Sequence, residues 1–207
     1  MDWKNIRDGL NALPGSIIGE EDEYRSYSIM IPIIEKGNQL QVMFEVRPST
    51  LRIDPGEICF PGGGIEKGET AKRAAYRETS EELGIEEQYI ELISGEDLLI
   101  TQNNRIIHAF CGYVDNKADI KPSVSEVEEL FYVPLEYFML NEPETGMACV
   151  ITEPIGEFPY SRLYGREYSW RKGKSKVYFY RYNDYVIWGI TAKILYNYIK
   201  KIKEKAR

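Results

Sequence analysis

The chain contains 207 residues, with 33 acidic and 26 basic side chains and a formal net charge of −7. Hydrophobic residues make up 43 % and aromatic residues 13 %, which is enough for a packed core and excludes a wholly disordered chain. The length predicts one domain, the acidic balance argues against general nucleic-acid binding, and no apolar run reaches the roughly 18 residues of a transmembrane helix.

The N-terminal residues and the cysteines predict the compartment. Charged side chains interrupt the start of the chain, which lacks the apolar run of a secretory signal peptide. Cys59, Cys111 and Cys149 stand far apart without C-x-x-C spacing, so neither a disulfide framework nor a zinc ribbon fits. We therefore expect a soluble cytoplasmic protein that does not bind a membrane.

The first predicted elements are a helix and a hairpin. A short helix is predicted over residues 2–12, and an acidic connector follows it up to residue 24. Two apolar segments, 27–34 and 40–46, flank good turn residues at 35–38. This arrangement predicts a β-hairpin.

A glycine-rich loop and a helix come next. A short β-like run over 57–60 precedes four glycines within residues 62–68, which predict a loop. The following segment predicts a helix from Ala71 to Leu83, with Thr70 as its N-cap and Gly84 as its C-cap.

The second half of the chain predicts mainly strands and a final helix. Strands are expected at 96–101, 106–114, 129–133 and 176–182. Apolar residues that recur at helical spacing predict a last helix over about residues 188–205.

Three carboxylates stand out on the helix over 71–83. At about 100° per residue, Glu78, Glu81 and Glu82 fall within one narrow arc, where like charges repel each other. An acidic solvated face would explain this pattern. A site for Mg²⁺ or Mn²⁺ explains it better, because a cation removes the repulsion and prefers hard oxygen ligands.

Other phosphate and metal motifs do not fit. Gly63 and Gly68 have Walker A spacing, but Glu69 stands where the lysine belongs. Lys67 replaces the third glycine of a G-x-G-x-x-G motif. His108 is the only histidine, which excludes an H-E-x-x-H zinc site, and its apolar neighbours predict a structural histidine in a strand.

The spacing between residues 63 and 85 resembles the Nudix box, G-x5-E-x7-R-E-U-x-E-E-x-G-U, in which U is a bulky apolar residue. The matching residues are Gly63, Glu69, Arg77, Glu78, Glu81, Glu82, Gly84 and Ile85. Thr79 at the first U position is the one departure, and we expect its methyl group to make a slightly poorer core contact. The resemblance implies a Nudix hydrolase, which cleaves a nucleoside diphosphate linked to another group.

The same resemblance implies a fold. We expect an α/β protein with the Nudix fold, a mixed-sheet α/β/α sandwich with a C-terminal helix. Residues 1–24 would precede a single Nudix domain over 25–207, with an aromatic and basic elaboration at about 141–185.

Roles for the box residues are also implied. The expected ligands of Mg²⁺ or Mn²⁺ are Glu78, Glu81 and Glu82. The carbonyl of Gly63 would add a further ligand, Glu69 would support the junction between loop and helix, and Arg77 would hold a box glutamate, with Glu81 favoured.

A second signature lies upstream of the box and looks like that of coenzyme A pyrophosphatases, L-L-T-x-R-S-x3-R-x3-G-x3-F-P-G-G. The matching residues are Arg47, Arg52, Gly56, Phe60, Pro61, Gly62 and Gly63. Pro48 departs from the usual serine. The Phe-Pro-Gly-Gly run alone could merely shape the loop, but arginine suits phosphate recognition, so we predict substrate binding by these residues.

Residues 158–185 form an aromatic and basic segment in an otherwise acidic chain. Its rings and cations would suit an adenine and the 3′-phosphate of coenzyme A. An aromatic sheet face or a dimer surface fits the composition equally well. Residues 185–192 are also similar to a W-G-x-T-A-type stretch that opens the last helix of this subfamily.

The general base is left open between a box glutamate and Glu126, Glu128 or Glu129. The resemblance favours Glu126 as an added contact to the metal or to water, against the alternative of an acidic surface turn.

The predicted function is metal-dependent hydrolysis of coenzyme A, or of an acyl or oxidised derivative, to 3′,5′-ADP and 4′-phosphopantetheine or its acyl form. An ADP-ribose or dinucleotide pyrophosphatase is the alternative enzyme. A non-catalytic nucleotide-sensing module is a further alternative, against which the complete carboxylate cluster speaks. The partner is a small molecule, and a homodimer stays open.

Overall fold

The computed structural model describes residues 17–163 and 168–205. The helix predicted over 2–12 lies outside these residues, as do Tyr164 and Arg166 of the aromatic and basic segment. The predicted division into residues 1–24 and a domain over 25–207 stays a prediction.

Eleven strands, three α-helices and two 3₁₀ helices of three residues each are described within these ranges. The strands are β1 (Arg25–Lys36), β2 (Gln39–Val46), β3 (Ile58–Cys59), β4 (Gly62–Gly64), β5 (Ile90–Leu92), β6 (Asp97–Ile100), β7 (Arg105–Val114), β8 (Glu129–Pro134), β9 (Glu144–Val150), β10 (Gly173–Tyr182) and β11 (Tyr185–Trp188). The helices are α1 (Ala71–Leu83), α2 (Leu135–Leu140) and α3 (Gly189–Lys205).

The strands form two sheets. The larger one has eight strands and runs β3-β2-β1-β7-β5, while β4 also pairs with β1, β6 with β7 and β8 with β2. Strands β1 and β7 are parallel, and the other described pairs are antiparallel, so the predicted mixed sheet is confirmed. A second sheet, β11-β10-β9, was not predicted.

Helices and the small sheet cover the two faces of the larger sheet. On one face Met30 and Ile34 of β1 pack in a core cluster with Leu83 of α1. On the other face Ile31 and Ile33 belong to a cluster that also holds residues of α2, α3 and the small sheet. The α/β/α arrangement with a C-terminal helix is therefore confirmed, and the small sheet is an addition to the second layer.

Several elements differ from the sequence-based prediction because their cause is not local. Residues 62–64 are a strand rather than a loop, because they pair with Tyr27–Ile29 of β1. Strand β5 has three residues and helix α2 has six, which is too short for a periodic signal. Strand β9 is mostly exposed and lacks a clear apolar alternation.

Helix α1 has the predicted bounds and the predicted caps. The hydroxyl of Thr70 accepts a hydrogen bond from the backbone N–H of Arg73 at 3.2 Å. Gly84 ends the helix in the left-handed conformation with φ 62°, and its N–H donates to the carbonyl of Ser80. The buried hydroxyl of Ser28 on β1 donates to the carbonyl of Ala71 at 2.7 Å and so ties the helix to the sheet.

We predict that Gly84→Ala destabilises the fold more than Gly37→Ala. Both glycines have a positive φ, of 62° and 59°. A Cβ at Gly84 would lie 2.0 Å from the carbonyl oxygen of Lys121, whereas a Cβ at Gly37 meets nothing within 4 Å. The left-handed conformation alone costs about 1–2 kcal/mol, and the clash adds about 2 kcal/mol.

Urea unfolding of both variants beside the unmodified chain measures the two losses in the free energy of unfolding. Equal losses would show that the loop at Lys121 yields to the added methyl group, contrary to this account of the helix end.

Candidate active site

The glycine strand β4 lies directly against two box carboxylates. The N–H of Gly62 donates to Oε2 of Glu82 at 2.7 Å. A Cβ at Gly62 would lie 2.4 Å from the carbonyl oxygen of Ser28, and a Cβ at Gly63 would lie 2.3 Å from Oε1 of Glu78. At Gly62 only glycine allows this approach to the neighbouring strand, whereas at Gly63 an added Cβ would displace the carboxylate of Glu78.

Arg77 joins the carboxylates of the loop and the helix. Its Nε and Nη2 donate to the two oxygens of Glu69 at 3.0 and 2.9 Å. Its Nη1 donates to Glu78 at 2.7 Å and to Glu81 at 3.3 Å, and Nη2 also donates to the carbonyl of Gly64 at 3.1 Å. The expected contact with Glu81 is thus present but is the longest of the set, and the paired contact is with Glu69.

These contacts shift the pKa values of both partners. The hydrogen bond with Glu69 raises the pKa of Arg77 above its ordinary value, and the same bond lowers the pKa of Glu69. Both groups therefore stay charged, and the Arg77 guanidinium is fixed in place between strand β4 and helix α1.

Two further carboxylates are buried beside this group. The pKa of Glu82 is raised to about 8, mainly by burial and in addition by the charges of Glu78 and Glu126, against the lowering effect of the Gly62 N–H. Burial also raises the pKa of Glu45 well above its ordinary value, with the charge of Glu82 as the next cause. The pKa of Glu78 is raised mainly by burial as well.

Glu45 is a residue that the sequence analysis missed. It lies on β2, is 1 % exposed, and its Oε1 has no hydrogen-bond partner among the described residues. The signal was available, because a glutamate interrupts the apolar run from Val42 to Val46. A charged residue inside such a run is unusual unless it has a partner.

The buried hydroxyl of Thr79 shows the cost of the one departure from the box. Thr79 is fully buried, and its Oγ1 has no hydrogen-bond partner among the described residues. An apolar residue here would avoid this unpaired polar atom, which agrees with the expected poorer contact.

The donor set fits a hard divalent cation. Within residues 17–163 and 168–205 no three acidic, histidine or cysteine side chains are already arranged as a metal site, and Glu78 is instead paired with Arg77. However, Glu45 has an unpartnered buried oxygen, and the negative charges of Glu78 and Glu126 add to burial in raising the pKa of Glu82. Carboxylate oxygens are the ligands that Mg²⁺ and Mn²⁺ prefer.

The loop before β8 brings one more carboxylate near the cluster. Backbone N–H groups of Lys121 and Ser123 donate to the carbonyls of Leu83 and Glu82, which ties this loop to the end of α1. The negative charge of Glu126 consequently raises the pKa of Glu45, Glu78 and Glu82.

The other two candidates for the general base are engaged elsewhere. Glu128 accepts a hydrogen bond from the N–H of Ser49 at 2.9 Å. Glu129 accepts one from the hydroxyl of Tyr185. Of the three acidic residues in this loop, the electrostatic neighbour of the box carboxylates is Glu126.

The residues of the second signature, which precedes the Nudix box, form a loop beside the carboxylate cluster. The N–H of Arg47 donates to the backbone carbonyl of Glu57 at 2.9 Å, the N–H of Gly56 donates to the carbonyl of Arg47 at 3.1 Å, and Gly56 has φ 69°. Arg47 is half-buried and its charge lowers the pKa of Glu45, whereas Arg52 and Gly56 are exposed.

The side chain of Phe60 is buried rather than exposed to solvent at this loop. It is 5 % exposed and stacks on Phe44 with ring centroids 5.1 Å apart. We therefore correct its expected role: Phe60 anchors the loop in the core and is not placed to contact a substrate directly.

The predicted strand histidine is confirmed as part of a strand. His108 lies on β7, opposite Ser28 of β1, and its Nδ1 contacts the carboxylate of Glu96.

The aromatic and basic segment contains two groups of rings. Rings of β10 and β11 pack against the rest of the domain in the pairs Tyr178–Tyr196, Tyr180–Phe138 and Tyr185–Phe131. A separate group of rings in the connecting segment comprises Phe158, Tyr160, Tyr168 and Trp170. The rings of the strands therefore form an aromatic sheet face, which is one of the interpretations given for this segment. Stacking on a ligand stays a prediction for the second group of rings.

The family model of the NUDIX domain matches residues 25–153, and the chain belongs to the Nudix family. Peroxisomal coenzyme A diphosphatase NUDT7 of Mus musculus is 33 % identical over 64 % of this chain and 56 % of that protein. Peroxisomal coenzyme A diphosphatase ndx-8 of Caenorhabditis elegans is 32 % identical over 67 % of this chain and 58 % of that protein. The uncharacterized Nudix hydrolase NudL of Photorhabdus laumondii is 26 % identical over 88 % of this chain and 87 % of that protein.

These matches confirm the predicted resemblance to coenzyme A diphosphatases of the Nudix family. The chain spans a little over half the length of the two coenzyme A diphosphatases. Among the described residues, no helix is long and apolar enough to cross a membrane.

Proposed function

We propose that this chain is a Nudix hydrolase that cleaves the pyrophosphate bond of coenzyme A or one of its derivatives. The products would be 3′,5′-ADP and 4′-phosphopantetheine or its acyl form. The observation that carries the proposal is the set of box carboxylates gathered around Arg77 and the glycine strand. The similarity to two proteins named coenzyme A diphosphatases supports this choice of substrate.

Glu78, Glu81 and Glu82, with the carbonyl of Gly63, are the proposed ligands of Mg²⁺ or Mn²⁺. Nudix hydrolases generally use divalent metals. Such a cation offsets the charge of the phosphates and lowers the pKa of an attacking water.

The chain's own residues would position this site. Glu69 holds Arg77 through two hydrogen bonds, and Arg77 in turn orients Glu78 and Glu81. The N–H of Gly62 orients Glu82. This preorganisation of Glu81 and Glu82 reduces the reorganisation that the reaction requires, while Glu78 would turn from Arg77 to the cation.

Other residues would act on the substrate and on the proton. Arg47 and Arg52 are proposed to bind the phosphates, because a guanidinium matches phosphate oxygens with two donors. A carboxylate oxygen of Glu126, or of a box glutamate, is the proposed acceptor of the proton that the attacking water loses.

Incubation of the purified chain with Mg²⁺ or Mn²⁺ and one of three substrates tests the proposal. We expect coenzyme A to be converted to 3′,5′-ADP and 4′-phosphopantetheine faster than ADP-ribose or NADH is cleaved, with products identified by mass spectrometry. Faster cleavage of ADP-ribose or NADH would support the alternative enzyme. Lack of turnover with either metal would leave the nucleotide-sensing module.

Glu82→Gln and Glu81→Gln serve as the loss-of-function variants in this assay. Each should lower kcat at least about 100-fold if the two residues position the metal or its water. Glu35→Gln, at an exposed position near the end of β1, is the matched control and should retain full activity. Circular dichroism checks that all three variants fold.

We predict that Arg52→Ala weakens the use of coenzyme A more than that of ADP-ribose. Arg52 is exposed in the loop after β2, and its proposed partner is the additional 3′-phosphate of coenzyme A, which ADP-ribose lacks. We expect kcat/KM for coenzyme A to fall at least about 10-fold, mainly through KM.

Lys117→Ala removes another exposed cation, in the turn after β7, and should change neither substrate's kcat/KM. An equal loss for both substrates in Arg52→Ala would make Arg52 a general phosphate contact and leave the choice of coenzyme A to other residues.

The cytoplasmic location and the homodimer stay predictions. Two of the relatives are named as peroxisomal proteins, and that location refers to those relatives.

A further inference from the structure

Glu45 lies on a strand that is hydrogen-bonded on both sides. It is opposite Cys59 of β3 and opposite Leu130 of β8. Its side chain is 1 % exposed, and Oε1 has no hydrogen-bond partner among the described residues. A carboxylate removed from water in this way is costly unless a charge or a donor compensates for it.

The nearest partner of Glu45 is another acid. The carboxyl groups of Glu45 and Glu82 are within hydrogen-bonding reach of each other, and Oε2 of Glu82 accepts the N–H of Gly62. Arg47, directly after the end of this strand, contributes a favourable charge, but it makes no ion pair with Glu45 among the described residues: its Nη2 donates to the carbonyl of Ile53 at 3.4 Å, and its buried Nε has no hydrogen-bond partner there. The pair of buried carboxylates therefore lacks a close counter-ion among the described residues.

A purely structural role gives no reason for an acid at this position. Threonine or valine would suit the strand, and glutamine could donate a hydrogen bond to Glu82 without adding a buried charge. What glutamate alone supplies is a second negative oxygen atom beside Glu82, and this is useful where a cation binds.

We propose that Glu45 shares the divalent cation with Glu82, so that a strand carboxylate joins those of the Nudix box. This inference rests on the proposed function, because it assumes that the box carboxylates bind a cation. It goes beyond that function in giving the cation site a residue from β2, outside the box and outside the helix that carries the box glutamates.

Calorimetric titration with Mn²⁺ alone, without substrate, tests this assignment. Glu45→Gln should weaken Mn²⁺ binding at least about 10-fold, as the loss of a group that supports a metal site typically does. The rise in melting temperature that saturating Mn²⁺ produces should shrink in parallel. Without metal, the variant should melt no lower than the unmodified chain, because one buried negative charge has been removed.

Two controls separate this effect from general damage or general charge. Val42→Ala removes part of a fully buried side chain on the same strand and should lower the melting temperature while leaving the Mn²⁺ affinity within twofold. Glu35→Gln removes an exposed charge from the neighbouring strand and should change neither quantity.

Mn²⁺ binding by Glu45→Gln within twofold of the unmodified chain would overturn the inference. If Glu45→Gln does not fold, Glu45→Thr, a good strand residue, takes its place with the same expected loss and the same contrary result. Failure of the unmodified chain to bind Mn²⁺ would overturn the proposed cation site as a whole. If the unmodified chain binds Mn²⁺ and turns over substrate, and Glu45→Gln binds Mn²⁺ equally well, only this inference is overturned.

Discussion

One guanidinium is set against more carboxylate charge than it can neutralise, and the rest of the site depends on this imbalance. Arg77 is paired with both oxygens of Glu69 and also donates to Glu78 and Glu81. Glu82 lies buried beyond this group, with its pKa raised to about 8 by burial. A divalent cation would supply the missing positive charge, and this is the chemistry that metal-dependent cleavage of a pyrophosphate needs.

The scaffold keeps these carboxylates close in spite of their repulsion. Strand β4 pairs with β1 so closely that a Cβ at Gly62 would collide with the backbone of β1, while a Cβ at Gly63 would meet the Glu78 carboxylate of the helix. Gly84 ends the helix and leaves room for the carbonyl of Lys121, and backbone hydrogen bonds from Lys121 and Ser123 bring the loop that carries Glu126 to the cluster. The backbone geometry therefore keeps the carboxylates close together. It depends on glycine at Gly62 and Gly84, where a side chain would collide with the backbone of another segment.

The sequence predicts the parts of this site that are local. Thr70, the glutamates and Gly84 determine the bounds of helix α1 within one segment, and a turn sequence between apolar runs determines the first hairpin. The pairing of Gly62–Gly64 with β1 is a contact between distant segments, which a composition rich in glycine does not reveal. The glutamate within the apolar run of β2 marks Glu45 as unusual, but its partner is not visible in the sequence, because only the fold brings β2 next to Glu82.

The residues of the upstream signature, proposed for substrate recognition, differ in their burial. Arg47 lies half-buried beside Glu45, while Arg52 and Gly56 are exposed at the loop. Phe60 stacks on Phe44 and so fixes the point from which that loop leaves the core. Tyrosine rings of β10 pack on α2 and α3, and Tyr185 of β11 stacks on Phe131 of β8. Coenzyme A recognition is accordingly proposed to rest on the arginine loop.

The central claim is that the carboxylate cluster is a divalent-cation site, and anomalous diffraction from crystals of the chain soaked in Mn²⁺ tests it most directly. The account predicts an anomalous peak among Glu78, Glu81, Glu82 and the carbonyl of Gly63, with Glu78 released from Arg77. A crystal in which the peak lies elsewhere, or in which Glu78 stays paired with Arg77 and no peak appears at saturating Mn²⁺, would contradict it.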